Sequence, residues 1–314
     1  MQAVVVATGD VHVEERPDPV PGDTEVLVAV HVAGLNGADV LQRAGRYPPP
    51  PGVPTDIPGL EMAGEVVATG SKVTAAAVGD RVMAVLAGAG QATMAVVDES
   101  HLLAVPPQMP WEEAGGFPEV FSTAYDALFP RGHLSAGDRL LVTGAAGGVG
   151  VAAVQLGAAA GARVVASVRD PGRREEVAAL GAHEVIGTED IEDHGPYDVV
   201  LELVGAASLP RALGALALEA RVVVIGVGSG SRVELDIRTL MGARATLGAA
   251  TLRARSRTEK AVVAAGVRAH VLPLVADGRV RVPVCDRFPL VDAPAAYERF
   301  TSGNKLGKVV LVAR

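Results

Sequence analysis

Residues Gly144-Ala145-Ala146-Gly147-Gly148-Val149-Gly150 join the apolar run Arg139-Leu140-Leu141-Val142-Thr143 to an Ala- and Val-rich stretch over 149–160. The run reads as a buried strand and the stretch after it as a helix with little polar surface. Glycines at such a junction let the chain turn tightly. They also let the backbone around Ala146, Gly147, Gly148 and Val149 approach a pyrophosphate at the helix N-terminus, where the dipole favours negative charge. Against the pattern G-x-G-x-x-G, only the first glycine is changed, to Ala145. A turn used merely for close helix–sheet packing has the same composition; the strand before it and the helix after it favour the dinucleotide reading.

The alternation continues with a strand over 163–168, a helix over 173–180 closed by Gly181, and a strand over 197–203. A helix near 208–218, a strand over 221–225 and a last strand over 245–250 follow. Repeated β-α-β units imply a parallel sheet covered by helices on both faces. Before residue 118 the text changes to short Val-rich runs (26–30, 64–68, 81–86) divided by Gly, Pro and Asp, which reads as a compact β-barrel or sandwich. Tyr47 precedes four prolines, 48–51, a stiff loop that can continue neither a helix nor a central strand. A helical stretch starts near Trp111. After a basic helix around 256–276, segments 284–290, 292–302 and 308–312 return to strand–helix–strand. The expected organisation is a discontinuous first domain, residues 1–118 plus 256–314, around an inserted dinucleotide-binding domain, 119–255.

Composition narrows the function classes. One cysteine, Cys285, excludes an intramolecular disulfide framework and any cysteine-based zinc cluster, and suits a reducing compartment. Cys285 itself reads as a buried small hydrophobe. A net charge of −8 and 3% aromatics lack the basic footprint and stacking platforms of a nucleic-acid binder. No apolar run approaches the ~20 residues of a membrane span. The N-terminus lacks the charged start and small-residue cleavage site of a signal peptide, so a cytoplasmic location is expected.

The choice of dinucleotide falls on the end of the second strand of the alternating part, Ala166-Ser167-Val168, followed by Arg169-Asp170-Pro171-Gly172-Arg173-Arg174. An NAD site carries an acid about 20 residues after the glycines, bound to the ribose hydroxyls. Asp170 stands near that distance, but it also suits an N-cap with Pro171 in the first helical position. Arg169 and Arg173 flank it and suit a doubly charged 2′-phosphate, with Ser167 at the strand end. A solvated basic helix start is the plainer alternative. NADPH is the expected cofactor.

Over nearly its full length the chain resembles the zinc-free quinone oxidoreductase branch of the medium-chain dehydrogenase/reductase superfamily. The resemblance rests on Leu35-Asn36-Gly37-Ala38-Asp39, Gln42-Arg43, Gly45-Arg46-Tyr47 with its prolines, Pro58-Gly59-Leu60-Glu61-Met62-Ala63-Gly64 and Val78-Gly79-Asp80-Arg81-Val82. It continues through Pro118-Glu119-Val120-Phe121-Ser122-Thr123-Ala124, the glycine turn, Thr251-Leu252-Arg253-Ala254-Arg255-Ser256 and Leu306-Gly307-Lys308-Val309-Val310. It implies an α/β protein: a GroES-like β-barrel catalytic domain plus a Rossmann domain with a doubly wound parallel sheet. Further cofactor contacts it implies are Thr123, Val204, Gly205, Gly226, Val227 and Asn304, the last over the nicotinamide carboxamide. It also implies a homodimer paired through the last Rossmann strand.

Zinc members of that superfamily hold a catalytic metal with Cys, His and Cys; here Asn36, Leu60 and Glu119 stand at the matching positions. Leu60 has no donor atom and Asn36 is a poor zinc ligand, so no metal site is expected. Without a Lewis acid, the accessible chemistry is hydride transfer to an acceptor that is already electrophilic, a quinone or an α,β-unsaturated carbonyl. Tyr47 and Asn36 are the polar groups expected to face that acceptor. Tyr47 could equally stack on its prolines, and Asn36 could cap a helix beginning near Ala38. Asp39 reads as structural, Glu119 has no assigned role, and Arg253 reads as lying either at the pocket mouth or on the surface. The leading reading is an NADPH-dependent quinone reductase. Its rivals are an enoyl or enone reductase of the same fold and a non-catalytic NADPH-binding redox sensor.

Overall fold

The computed structural model describes residues 1–7 and 9–314 and divides into two compact units. One comprises Met1–Ser122, Leu252–Ala276 and Arg281–Arg314; the other comprises Thr123–Thr251 and Asp277–Val280.

The first unit begins with strands β1 (Gln2–Ala7) and β2 (Asp10–Glu15), paired antiparallel. Then come β3 (Glu25–Gly34), helix α1 (Gly37–Arg43), β4 (Glu61–Thr69), β5 (Arg81–Val85), β6 (Met94–Asp98) and β7 (Leu103–Ala104). Helices α2 (Trp111–Gly115) and α3 (Pro118–Asp126) follow. The division between units falls within α3, after Ser122.

The second unit alternates β8 (Arg139–Val142), α4 (Gly148–Ala159), β9 (Arg163–Ser167), α5 (Arg174–Ala178), β10 (Glu184–Ile186), β11 (Tyr197–Glu202), α6 (Leu209–Leu213), β12 (Leu216–Val224), α7 (Ile237–Ala243) and β13 (Thr246–Ala249). All six strands run parallel in the order β10-β9-β8-β11-β12-β13. The order reverses at β8, which places the switch point beside the glycine turn. Leu141, Val165, Tyr197, Val200 and Val222 fill one face of the sheet. Residues 150–157 of α4 are all buried, which is why that helix shows no polar stripe. The helix expected near 208–218 is a single turn: Gly214 ends α6, and β12 already begins at Leu216. The basic helix expected over 256–276 is two helices, α8 (Arg257–His270) and α9 (Leu272–Ala276), divided at Val271.

The chain finishes in the first unit with β14 (Val284–Pro289), α10 (Ala293–Thr301) and β15 (Lys308–Val312). The long strand β3 organises this unit. It pairs β4 along one side, and β6 and then β15 along the other, in a seven-stranded sheet ordered β14-β15-β3-β4-β5-β7. Val26, Val28, Val30, Met62, Val66 and Val97 form its core. The tail strand β15 therefore lies beside the end of β3, where α1 begins. Among the described residues no helix is long and apolar enough to cross a membrane.

Candidate functional site

At the end of β3, Asn36 is the N-cap of α1, with extended backbone. The Asp39 carboxylate accepts from the Asn36 N–H at 2.8 Å and from the Gly59 N–H at 3.1 Å. Asp39 is fully buried, and burial outweighs those two donors, raising its pKa to about 6. Gln91 donates to it at 3.3 Å and accepts from the buried Tyr297 hydroxyl at 2.9 Å. Asp39 is thus the structural residue expected.

The Asn36 side chain turns inward. Its amide nitrogen donates to Glu61 Oε1 at 2.9 Å, and its Oδ1 accepts from Lys308 Nζ at 2.8 Å. Lys308 Nζ also donates to Leu35 O at 2.7 Å and to Glu61 Oε1 at 2.5 Å, which uses all three of its N–H donors. The second Glu61 oxygen accepts from the Glu119 backbone N–H at 2.8 Å. Glu61 and Lys308 are 0% and 3% exposed, so this is a buried ion pair whose remaining hydrogen-bonding capacity is filled by neighbours. Gly34 permits it, since a Cβ there would lie 2.2 Å from Glu61 Oε1. The pair links Asn36 to Glu119, two of the three positions matched to zinc ligands; the third, Leu60, is buried and without donor atoms. These residues do not fit a divalent cation: Leu60 offers no donor atom, and the Lys308 ammonium already holds Asn36 Oδ1 and Glu61 Oε1 and would repel a second cation. No group of three His, Cys, Asp or Glu among the described residues could hold a metal.

Tyr47 is half-buried beside Arg253. The guanidinium carbon lies 5.2 Å from the ring centroid, and Nη1 donates to the Tyr47 carbonyl at 2.8 Å. Arg253 also donates to Ala87 O and to Gln42 Oε1, and at 3% exposure it belongs neither to the surface nor to a pocket mouth. It ties the proline loop to α1. The Tyr47 hydroxyl has no hydrogen-bond partner among the described residues. Burial, and secondarily the Glu119 charge, raise its pKa, so the phenol stays protonated and able to donate. Cys285 is half-buried rather than buried; its thiol donates to Lys308 O at 3.0 Å, and burial pushes its pKa up.

In the second unit the expected cofactor residues gather at the carboxyl ends of neighbouring strands. Ala146 and Gly147 close the turn after β8 and Gly148 and Val149 open α4, all four half-buried. A Cβ on Gly150 would lie 2.5 Å from Gly144 O, so only glycine lets α4 start this close to the strand. Ser167 ends β9, with its carbonyl accepting from Ala145 N at 3.1 Å. Val204 and Gly205 follow β11, and Gly226 and Val227 follow β12. The buried Glu202 organises this rim. One of its oxygens accepts from Val204 N at 2.7 Å, Gly205 N at 2.8 Å and the Thr143 and Ser208 hydroxyls at 2.9 and 2.7 Å. The turn with its helix N-terminus fits a dinucleotide pyrophosphate.

Asp170 takes the capping role, accepting from Gly172 N at 2.9 Å with Pro171 in the first position. Arg169 is exposed. Arg173 is half-buried, and its Nη1 donates to Glu176 at 2.6 Å. Thr123 is buried on α3. Asn304 is an exposed residue of the first unit, in the left-handed region at φ 46°.

Sequence reasoning gave no role to Glu61, Lys308 or Glu202. Each was visible as a charge inside an apolar strand run, which a folded protein accepts only with partners.

The alcohol dehydrogenase GroES-like domain family matches residues 22–132, and the zinc-binding dehydrogenase family matches residues 148–265. A quinone oxidoreductase of Lama guanicoe is 30% identical over 94% of this chain and 91% of its own length. A phenolphthiocerol/phthiocerol polyketide synthase polypeptide of Mycobacterium tuberculosis is 33% identical over 96% of this chain, within 14% of its own. A mycobacterial protein complexed with NADPH superposes with TM-score 0.88 at 26% identity, over 99% of both chains.

Proposed function

Since the chain belongs to the quinone oxidoreductase branch of the medium-chain dehydrogenase/reductase superfamily and is an oxidoreductase using a nicotinamide cofactor, we propose that it reduces quinones or similarly electrophilic carbonyl compounds with NADPH and without a metal. The observation that carries this reading is the Lys308–Glu61 pair bonded to Asn36 and to the Glu119 backbone, two of the three positions matched to zinc ligands. A fixed ammonium there leaves no room in the electrostatics for the divalent cation that alcohol oxidation would need.

Bound NADPH supplies a hydride; the chain supplies position, a dry surface and a hydrogen bond. The glycine turn and the Glu202-ordered rim bind the dinucleotide. Arg169, with Arg173 re-pairing from Glu176, meets the 2′-phosphate, since Asp170 is committed to its cap and is a poor partner for ribose hydroxyls. The Tyr47 hydroxyl donates to the acceptor oxygen as negative charge develops there. Asn36, with both ends of its amide held, acts by holding the wall of the site in place. The chain works in the cytoplasm as a homodimer.

Rapid mixing of the NADPH-loaded protein with a quinone panel and an enone panel tests the reading. Quinones should oxidise the cofactor at a rate unaffected by chelators, with no stoichiometric zinc in the preparation. Tyr47→Phe should lose about tenfold to a hundredfold in kcat/KM. Turnover of enones alone would favour the second reading, an acyl-chain enoyl reductase, which draws support from the polyketide synthase relative. Turnover of neither would leave only a binding protein.

A further inference from the structure

Glu119 stands one turn before Ser122 on the same face of α3. Ser122 lines a narrow cleft in the first unit, together with His101 and with Lys260 and Val263 of α8. The cleft offers about 10 Å³ to solvent, room for one water and nothing larger. Its polar groups suit that water. The half-buried Lys260 ammonium has no hydrogen bond to any described residue, and neither has the hydroxyl of Ser122, which is 2% exposed. His101 Nε2 lies 2.9 Å from Arg257 O; a carbonyl only accepts, so that nitrogen carries the proton and Nδ1 is left to accept. Burial lowers the pKa of His101 and keeps the ring neutral. A donor, an acceptor and a hydroxyl that is both make up the two to four partners a bound water needs.

Charge connects this water to Tyr47. Glu119 and Arg253 act on Lys260, and the same two groups act on Tyr47, so Glu119 is near both the ammonium and the phenol. Burial lowers the pKa of Lys260 and raises that of Tyr47, which draws their proton affinities together. A proton handed from the ammonium to a phenolate therefore meets little net climb.

We propose that Lys260, the water beside Ser122 and the Glu119 carboxylate form a proton relay that recharges the Tyr47 hydroxyl. This rests on the reading of Tyr47 as the donor to the acceptor oxygen. Once a quinone has taken a hydride, its oxygen takes the Tyr47 proton: the phenol O–H bond breaks and a hydroquinone O–H bond forms. Glu119 passes a proton to the phenolate as it receives one from the water. The water takes one from Lys260, whose N–H bond breaks to leave a neutral amine that solvent reprotonates. One proton enters and no electrons move along the relay.

Arginine keeps the charge of Lys260 but does not give up a proton, so charge and relay can be told apart. In steady-state assays with quinones, kcat should fall about tenfold or more in both Lys260→Met and Lys260→Arg, with KM little changed. Added ammonium chloride should restore much of the loss in Lys260→Met. In a chain that already carries Tyr47→Phe, Lys260→Met should cost nothing further. Ultraviolet titration of the Tyr47 phenol needs no turnover; subtracting the same chain with Tyr47→Phe isolates it. Glu119→Gln should shift that titration to lower pH, since a negative charge beside the phenol is removed. Circular dichroism checks that the variants are folded. The titration shift, with neither quinones nor enones reduced, would uphold the link between Glu119 and Tyr47 and defeat the quinone reading. Full kcat in Lys260→Met or Lys260→Arg, no rescue by ammonium, an additive loss in the double variant, or a titration unmoved by Glu119→Gln would overturn the relay.

Discussion

Two buried carboxylates in the first unit have opposite thermodynamic characters. Glu61 is matched by Lys308 and three further donors or acceptors around the pair, so removing one partner strands a charge in the core. Lys308→Met should cost about 3–5 kcal/mol, read as a fall in the urea midpoint, and adding Glu61→Gln should return part of the loss because the stranded charge goes with it. Asp39 has no cation bonded to it, and its folded pKa of about 6 lies above the ordinary aspartate value of 3.8. The folded chain therefore binds the proton more tightly than the unfolded one. Its contribution is full below pH 4 and fades as pH rises through 6, by up to about 3 kcal/mol. The stability difference between wild type and Asp39→Asn should follow that curve; a flat difference between pH 4 and 7 would count against it. Both carboxylates lie in stretches that carry the family resemblance, but their pairing with Lys308 and Gln91 could not be read from the sequence, since nothing local links them.

At the scale of elements, β13 stands apart from the other strands of its sheet. All four of its residues are exposed, and among the described residues it pairs with β12 alone and leaves its outer edge unpaired. Leu247 on β13, Met241 and Ile237 on α7, and Leu218 on β12 are exposed as well. An uncovered, uncharged edge of this kind is a template for another strand, and the proposed homodimer would pair β13 with its copy. Leu247→Arg should shift the sedimentation coefficient from dimer to monomer at micromolar concentration while leaving far-ultraviolet dichroism unchanged. The helix of the basic segment shows how far local signals reach. Ser256 and Glu259 form a reciprocal capping box, which marks the start of α8 in the sequence, whereas its end at Val271 carries no comparable signal. The helix expected near 208–218 proved too long for the related reason that Ala- and Leu-rich text suits a short helix and a strand equally well.

For the molecule as a whole, ligand linkage is the informative experiment. The proposed cofactor, NADPH, would bind only the folded chain, so at a hundredfold excess over Kd it should stabilise the protein by about 2.7 kcal/mol and raise the thermal midpoint. Arg169→Ala should reduce that shift for NADPH and leave the NADH shift intact. Arg173→Ala should do less, because Arg173 is already paired with Glu176. Equal losses for both dinucleotides would remove the 2′-phosphate assignment.

What the linear text decided by itself was the parallel sheet and its glycine turn. Strand period, apolar helix and glycine spacing act between near neighbours, so they are legible along the chain. What only the folded chain decided was which charges meet. Lys308 reaches Glu61 across 247 residues and Arg253 reaches Gln42 across 211. A buried ion needs a partner at hydrogen-bond distance, and that distance is set by the register of β3, β4 and β15 rather than by any spacing along the chain.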